Sequence, residues 1–387
     1  MNLEEIRKEI DKTDDGLLKL FSERMELCEN VAEYKSKNGM AVFQGAREKQ
    51  VLEAIEKKSS PKLRAASRLL FSQIMEISKC LQTERLTEYQ CVKTASPAEN
   101  PVIACPGIKG SYTEEACLRV FGSETRIIYL DTFDEVFNAV ERGEADYGTV
   151  PIENSTAGGV EGTYDLLGKH DMYIVRRLSI PVNHVLAAKT RDCAVKKVIS
   201  HEQALHQCRN FLKETGCATE AVPNTSLAAR GVSLSENDTD TACICSEHCA
   251  ELYGLTVLKK NIADISENYT RFIVISDKLN VEENANTISV CLSLPHVTGS
   301  LYRLLTKFSY CGLNLTKIES RPMPPHIKKQ TAHLMPDREN FDFIFYLDFE
   351  GSLLDPSVGK LLKSLEKECV YYRVLGNYKD LDKETGL

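Results

Sequence analysis

No apolar run in the 387-residue chain approaches the roughly 18 residues that would suggest a membrane span. Positive charge is in deficit: 48 Lys and Arg against 56 Asp and Glu leave a formal net charge of -8. That balance excludes a nucleic-acid partner, because phosphate binding needs a positive field. A small anionic substrate needs only local positive charge and stays open. The opening residues MNLEEIRK read as a charged helix start and not a signal peptide, so a cytoplasmic protein is expected. Without a secretory signal, the 14 cysteines read as reduced core thiols. Cys243, Cys245 and Cys249, with His248 beside them, lack a second cysteine pair at zinc spacing. They read as a buried strand-to-helix segment, and neither metal nor cofactor is expected. Internal repeats and low-complexity tracts are also missing.

What is present is a globular composition, 42% hydrophobic and 27% charged, in a chain long enough for two or three domains. Residues 1–90 carry almost no strand signal. Ile6, Ile10, Leu17, Leu20, Phe21, Leu27, Val31 and Tyr34 recur at helical spacing with charges between them. The pattern predicts a helix of roughly 35 residues, a break at Asn38-Gly39, a short helix over 45–57, and a third helix from Pro61 to about Tyr89. The first is far longer than the usual ~11–12 residues. A three-helix unit cannot bury it along its whole length, so a homodimer or higher homo-oligomer is expected. A turn-rich linker over 91–101 leads into alternating strand and helix signals over 102–277, an α/β pattern with a mainly parallel sheet. Within it, Met172–Lys189 is a long extended run suited to crossing between two lobes. After a polar linker, residues 287–378 follow a βαββαβ order, the ferredoxin-like α+β arrangement, with an unusually long loop at Met323–Asn340.

In the helical module, Arg24 and Lys35 lie 11 residues apart and share a helix face, whereas Arg7 sits about 100° away from that face. An anionic site using all three would therefore take Arg7 from a different chain. Ser78 and Gln82 are spaced i, i+4 on the third helix. Arg7, Arg24, Lys35, Arg47-Glu48, Ser78 and Gln82, in this order and spacing, resemble the all-helical chorismate mutase family over the whole module. The resemblance implies an intertwined dimer in which Arg7 crosses the interface. It implies that Arg7 and Arg24 bind the two carboxylates of chorismate, that Lys35 and Gln82 donate to the ether oxygen, and that Glu48 accepts from the substrate hydroxyl. Gln44, with Arg47 and Ser78, would complete the binding set; family members carry an acidic residue at the position of Gln44. The reaction is a concerted pericyclic shift, so the site needs to hold one conformer and stabilise growing negative charge. With an amide at Gln82, activity at that contact should not need low pH.

In the α/β module, four polar runs fall where strands meet helices or loops: Gly107–Tyr112, Val150–Thr156, Ser200–Gln203 and Asn268–Phe272. Such positions in open α/β sheets bind ligands. Each alone is an ordinary turn. Together, Val-Pro-Ile-Glu-Asn-Ser, Ser-His-x-Gln and Thr-Arg-Phe resemble the prephenate dehydratase family. The implied fold has two lobes, like a periplasmic solute-binding protein, with the site in the cleft. The implied reaction expels ring hydroxide and carbon dioxide with aromatisation, giving phenylpyruvate. Thr270 is the group the family points to, as a hydrogen-bond donor or relay, with Arg271 neutralising charge nearby. Asn154, Ser155, Thr156, Ser200 and Gln203 are candidate substrate contacts, and His201 and Glu153 are alternative acids.

The C-terminal runs Gly299-Ser300-Leu301, at a helix start, and Glu319-Ser320-Arg321-Pro322, after a strand, resemble the ACT sensor domain attached to prephenate dehydratases. That implies phenylalanine held between paired domains as a feedback effector, its carboxylate at the helix N-terminus. Two other readings compete. The second substrate could be arogenate, although an attached mutase favours prephenate by supplying it. A non-catalytic ligand-binding regulator should lack the Arg24/Lys35/Glu48/Gln82 set and the Thr-Arg-Phe run, and this chain has both.

Overall fold

The computed structural model describes residues 2–38, 45–92, 94, 96, 98–160, 162–235, 240–334 and 342–385. Three helices come first: α1 (Leu3–Lys37), α2 (Gly45–Lys58) and α3 (Arg64–Leu86). The alternating stretch follows as β1 (Val102–Pro106), α4 (Tyr112–Phe121), β2 (Arg126–Leu130), α5 (Phe133–Glu141), β3 (Tyr147–Asn154), β4 (Gly158–Gly159), α6 (Thr163–Lys169), β5 (Tyr173–Pro181) and β6 (Val185–Ala188). It continues through β7 (Lys197–Ser200), α7 (Glu202–Gln207), α8 (Arg209–Thr215), β8 (Ala218–Ala221), α9 (Thr225–Leu234), β9 (Thr241–Cys245), α10 (Glu247–Leu252), β10 (Thr256–Lys259) and β11 (Tyr269–Ser276). Last are β12 (Thr287–Ser293), α11 (Ser300–Tyr310), β13 (Leu315–Pro322), α12 (Pro325–Gln330), a 3-10 turn (Ala332–Leu334), β14 (Phe343–Glu350), α13 (Pro356–Glu368), β15 (Tyr371–Asp380) and α14 (Asp382–Thr385).

The chain divides into two compact units, residues 1–93 with 290–373 and residues 94–289 with 374–387. In the first, α1 starts at a capping box in which Asn2 and Glu5 satisfy each other's backbone N–H groups. Only Met25 and Ala32 of α1 are buried, while Leu3, Ile6, Ile10, Leu17, Leu18, Leu20, Leu27, Val31 and Tyr34 are exposed. Four strands in the order β13-β14-β12-β15 form a sheet with β13 at its edge. Helix α3 lies against α11 and α13 of this layer. Tyr302 Oη donates to Gln73 Oε1 (2.6 Å), Tyr89 Oη to the Leu353 carbonyl (2.9 Å) and Lys360 Nζ to the Glu84 carbonyl (2.7 Å). Gly359 makes the close approach possible: a Cβ there would lie 2.1 Å from the Tyr89 ring. The stretch read from the sequence as one long loop instead carries α12 and the 3-10 turn, anchored by buried Met323, Ile327 and Thr331; residues 335–340 lie outside the described set.

The second unit holds two sheets. One runs β2-β1-β3-β11-β5, with the end of β15 added beside β5, and the other runs β10-β6-β9-β7-β8. Both are mixed, not mainly parallel as the alternation suggests. β1 pairs parallel with β2 and β3, but β11 is antiparallel to β3 and β5; β7 pairs parallel with β8 and β9, but β6 is antiparallel to β9 and β10. The reason is that the chain leaves the first sheet after β5 and re-enters through β11 from the other lobe, without the helical crossover that makes neighbours parallel. Separate cores lie under each sheet, Ile103, Cys105, Cys117 and Val274 in one and Val198, Phe211, Ala242 and Ile244 in the other. Cys243, Cys245 and Cys249 are fully buried among Val185, Ala187 and Val232. The helical stretch after β7 breaks at Cys208 into α7 and α8.

Candidate active sites

In the helical unit, packing of α1 on α3 brings Arg24 to Ser78, whose Oγ accepts from Nη1 at 2.7 Å. Ser78 in turn donates to the Ile74 carbonyl (2.7 Å), which fixes the hydroxyl. One turn on, Gln82 is buried and its Oε1 has no hydrogen-bond partner among the described residues. Glu48, from the first turn of α2, reaches Lys79 Nζ at 3.2 Å, and Lys79 also pairs with buried Glu76 at 2.6 Å. Burial pushes the Lys35 ammonium below its ordinary 10.5, against an upward pull from the Glu48 carboxylate. Arg24, Lys35, Glu48, Ser78 and Gln82 thus share one region. Arg7 and Arg47 stay exposed, and Gln44 lies outside the described residues. Sequence periodicity does not single out Lys79 and Glu76, because charges on a helix normally mark its solvated face.

In the second unit, a cleft of about 320 Å³ opens between the two sheets. From one lobe it is lined by Gly107, Ser111, Tyr112, Thr113, Asn154 and Thr270, and from the other by His201, Gln203, Gln207, Asn224 and Thr225. The Gly107–Tyr112 turn is braced across the lobes, for Tyr253 Oη donates to the Lys109 carbonyl at 2.8 Å. Gly110, at φ +86°, packs so tightly that a Cβ would sit 3.1 Å from Cys249 Sγ and Leu252 Cδ2. Beneath the turn, buried Glu114 accepts from Gly110 N (2.5 Å) and from the Tyr129 hydroxyl.

Asn154, at the end of β3, is the hub of the cleft. Its Nδ2 donates to Asn268 Oδ1 (2.9 Å), the Tyr269 carbonyl (3.2 Å) and Thr270 Oγ1 (3.0 Å). Its Oδ1 accepts from Thr156 Oγ1 (2.7 Å) and from the N–H groups of Thr156 (3.1 Å) and Ala157 (3.0 Å). Four expected contacts fall elsewhere, Thr156 among them, its hydroxyl donating to Asn154. Ser155 exchanges two hydrogen bonds of 2.9 Å with the Tyr269 backbone, Ser200 is buried and donates to the Ile244 carbonyl (2.6 Å), and Arg271 pairs with Glu153 at 2.8 Å. None of the four lines the cleft: strand alternation turns Arg271 away from the side that Thr270 faces. His201 caps α7, accepting from Gln203 N at 3.2 Å. His184 and Gln207 are additions that no sequence run announces. Burial pushes His184 below its ordinary 6.5, only partly offset by its hydrogen bond to Gln207.

Another cavity, about 260 Å³, lies in the first unit at the start of α11, lined by Pro295, His296, Gly299, Ser300, Leu301 and Phe345 among others. Gly299 takes φ +83° to begin the helix. Ser320 and Pro322 face the same side as Phe345 and Phe343, their cross-strand partners, whereas Glu319 and Arg321 pair with each other at 2.7 Å on the opposite face.

Comparison with known proteins finds two families, one matching within each unit. The family model for chorismate mutase type II matches residues 6–83, and that for prephenate dehydratase matches residues 103–280. A bifunctional chorismate mutase/prephenate dehydratase of Aquifex aeolicus is 32% identical over 97% of this chain and 97% of its own length. An arogenate dehydratase/prephenate dehydratase of Arabidopsis thaliana is 34% identical over 79% of this chain and 81% of its own. The crystal structure of a prephenate dehydratase from Arthrobacter aurescens in complex with L-Phe superposes with a TM-score of 0.62 at 30% identity, covering 73% of this chain and 91% of that one. No described helix is long and apolar enough to cross a membrane. With a mutase-type cluster on its helices, a polar cleft between two lobes and an end-to-end relative that joins the same two activities, the chain belongs to the bifunctional chorismate mutase/prephenate dehydratases, an isomerase and a lyase on one polypeptide.

Proposed function

We propose that the two activities run in sequence, chorismate to prephenate and prephenate to phenylpyruvate, under feedback by phenylalanine. For the first step, Arg24 and a partner chain's Arg7 hold the substrate carboxylates, a match of planar fork to carboxylate. Lys35 and Gln82 stabilise negative charge on the ether oxygen as the C–O bond breaks, and Glu48 accepts from the hydroxyl. The buried, unpartnered Gln82 Oε1 supports a site that a ligand completes. Arg47 and Gln44 complete the rim of this site. The exposed apolar face of α1 supports a dimer, because such a row of large side chains marks an interaction surface.

For the second step, the Asn154-to-Thr270 hydrogen bond inside the cleft is the observation that carries the reading. Thr270 Oγ1 accepts from the amide, so its own proton points to substrate. As the C–C bond to the ring carboxylate breaks, its electron pair enters the ring and hydroxide leaves. Thr270 hydrogen-bonds that hydroxide, which solvent then protonates, and carbon dioxide, water and phenylpyruvate are the products. Gln203 contacts substrate and Thr156 holds Asn154, while Ser155, Ser200 and the Glu153–Arg271 pair hold the surrounding backbone. The cavity at Gly299-Ser300-Leu301, with Ser320 and Pro322 at its border and Glu319-Arg321 beneath, is the phenylalanine site of an ACT-type module. Support comes from its helix N-terminus, suited to a carboxylate, and from the L-Phe bound by the Arthrobacter aurescens relative.

A coupled assay on purified protein tests all three parts, following chorismate loss and phenylpyruvate formation with and without phenylalanine, and with arogenate as alternative substrate. Lys35→Ala should abolish chorismate consumption yet still convert supplied prephenate, Thr270→Ala should accumulate prephenate, and phenylalanine should slow the wild type. Wild-type protein that binds phenylalanine but consumes neither substrate would replace the catalytic reading with a binding regulator.

A further inference from the structure

The dehydratase cleft contains a hydrogen-bond chain longer than the reaction's immediate contacts require. It runs from His184 Nε2 to Gln207 Oε1 (2.9 Å), from Gln207 Nε2 to Thr156 Oγ1 (3.2 Å), from Thr156 Oγ1 to Asn154 Oδ1 (2.7 Å), and from Asn154 Nδ2 to Thr270 Oγ1 (3.0 Å). Amides, hydroxyls and imidazoles can each donate or accept, so such a chain can in principle point either way. Here two backbone groups remove the ambiguity. The Ala157 N–H can only donate, and it donates to Asn154 Oδ1 at 3.0 Å; the Tyr269 carbonyl can only accept, and it accepts from Asn154 Nδ2 at 3.2 Å. Asn154 therefore cannot flip. With an oxygen facing it, Thr156 must give its only hydrogen to Asn154 and accept from the other side. Gln207 must then present its NH2 to Thr156 and its oxygen to His184. His184 completes the chain only as a donor at Nε2, with Nδ1 left to face the Tyr112 hydroxyl at 3.5 Å.

We propose that His184 and Gln207 are positioning residues of the dehydration step: they anchor a one-directional hydrogen-bond chain that ends on Thr270 and leaves its hydroxyl proton aimed at the departing hydroxide. Bonds aligned in one sense polarise one another, and in a low-dielectric site that strengthens the last donor. His184 is 2% exposed and Asn154 7%, so water hardly reaches these two members, while Gln207 is half-buried and Thr156 exposed between them. Among the described residues no protein acceptor takes the Thr270 proton, which is what a donor poised for substrate requires. The inference rests on the reading of Thr270 as the hydroxyl that contacts the leaving group.

Steady-state kinetics of the full chain on prephenate test it, with mutase turnover on chorismate giving the amount of active protein in each sample. Gln207→Met keeps the side chain's length but neither donates nor accepts as an amide. It should lower dehydratase kcat about tenfold with KM held within about twofold, because the lost interaction matters in the transition state. His184→Phe should do the same, and His184→Gln, which restores an N–H donor, should recover part of the loss. Added to Thr270→Val, Gln207→Met should have no further effect on residual turnover, since it acts through that hydroxyl. An unchanged kcat in Gln207→Met, a rise in KM alone, or the same fall in the Thr270→Val background would each overturn the proposal. Thr270→Val that retains full dehydratase turnover would instead overturn the reading beneath it.

Discussion

The C-terminal end of β15 is tied to the dehydratase unit by an ion pair that water hardly reaches. The Arg177 and Asp380 side chains are 7% and 4% exposed, with Nη2 and Oδ2 2.5 Å apart, and the Arg177 guanidinium also lies 5.7 Å from the centre of the Tyr378 ring. Asp380→Asn preserves shape while removing the carboxylate charge from this buried pair. Breaking a buried pair from one side costs about 3–5 kcal/mol. The retained ring contact and the amide oxygen place the expected loss at the lower end, about 3 kcal/mol. A unit of this size shifts by about 2–4 °C per kcal/mol, so its melting temperature should fall by roughly 6–12 °C. Thermal inactivation resolves it, because dehydratase turnover reports this unit and mutase turnover reports the other in the same sample. The dehydratase midpoint should move while the mutase midpoint stays. Replacing both partners, Arg177→Met with Asp380→Leu, should recover most of the loss, since well-packed apolar groups often match a buried pair. A shift below about 2 °C in Asp380→Asn, against the range above, would refute the claim that breaking this buried pair from one side governs the cost.

The mutase site carries a pH prediction. Only the protonated Lys35 can stabilise the ether oxygen, and burial holds its pKa below 10.5 despite Glu48, so the neutral amine forms early as pH rises. kcat/KM for chorismate should therefore decline on the alkaline side before pH 10.5, and Lys35→Arg should move that limb upward; a flat profile to that pH in the wild type would contradict it. Dimerisation through α1 is tested by Leu17→Glu with Leu20→Glu, both exposed positions. Sedimentation should show a lighter species with mutase turnover reduced by tenfold or more, as expected for loss of an arginine that binds a substrate carboxylate across chains. Dehydratase turnover on prephenate should persist, and a mutase that stays active as a monomer would exclude Arg7 from a shared site.

Much of this protein is legible in its sequence because the relevant signals are local. The length of α1 follows from apolar residues at helical spacing, and its exposed face follows from there being too little of the chain to cover it. Thr270 and Asn154 stand out because strand ends facing a cleft need polar residues where a core strand would have apolar ones. The mixed strand directions were not readable, since alternation of strand and helix does not record a chain that leaves one lobe and returns from another. Periodicity was also blind to which member of a polar run faces ligand: Thr270 and Arg271 are neighbours, yet the pleat sends one to the cleft and the other to Glu153. His184 and Gln207 lie outside the runs that stand out in the sequence, and they matter because folding brings His184 to Gln207 and Gln207 to Thr156. Local pattern determines which residues are polar and where helices begin; the direction of each hydrogen bond, and with it the use of each hydroxyl, is decided by backbone groups that only the tertiary structure brings together.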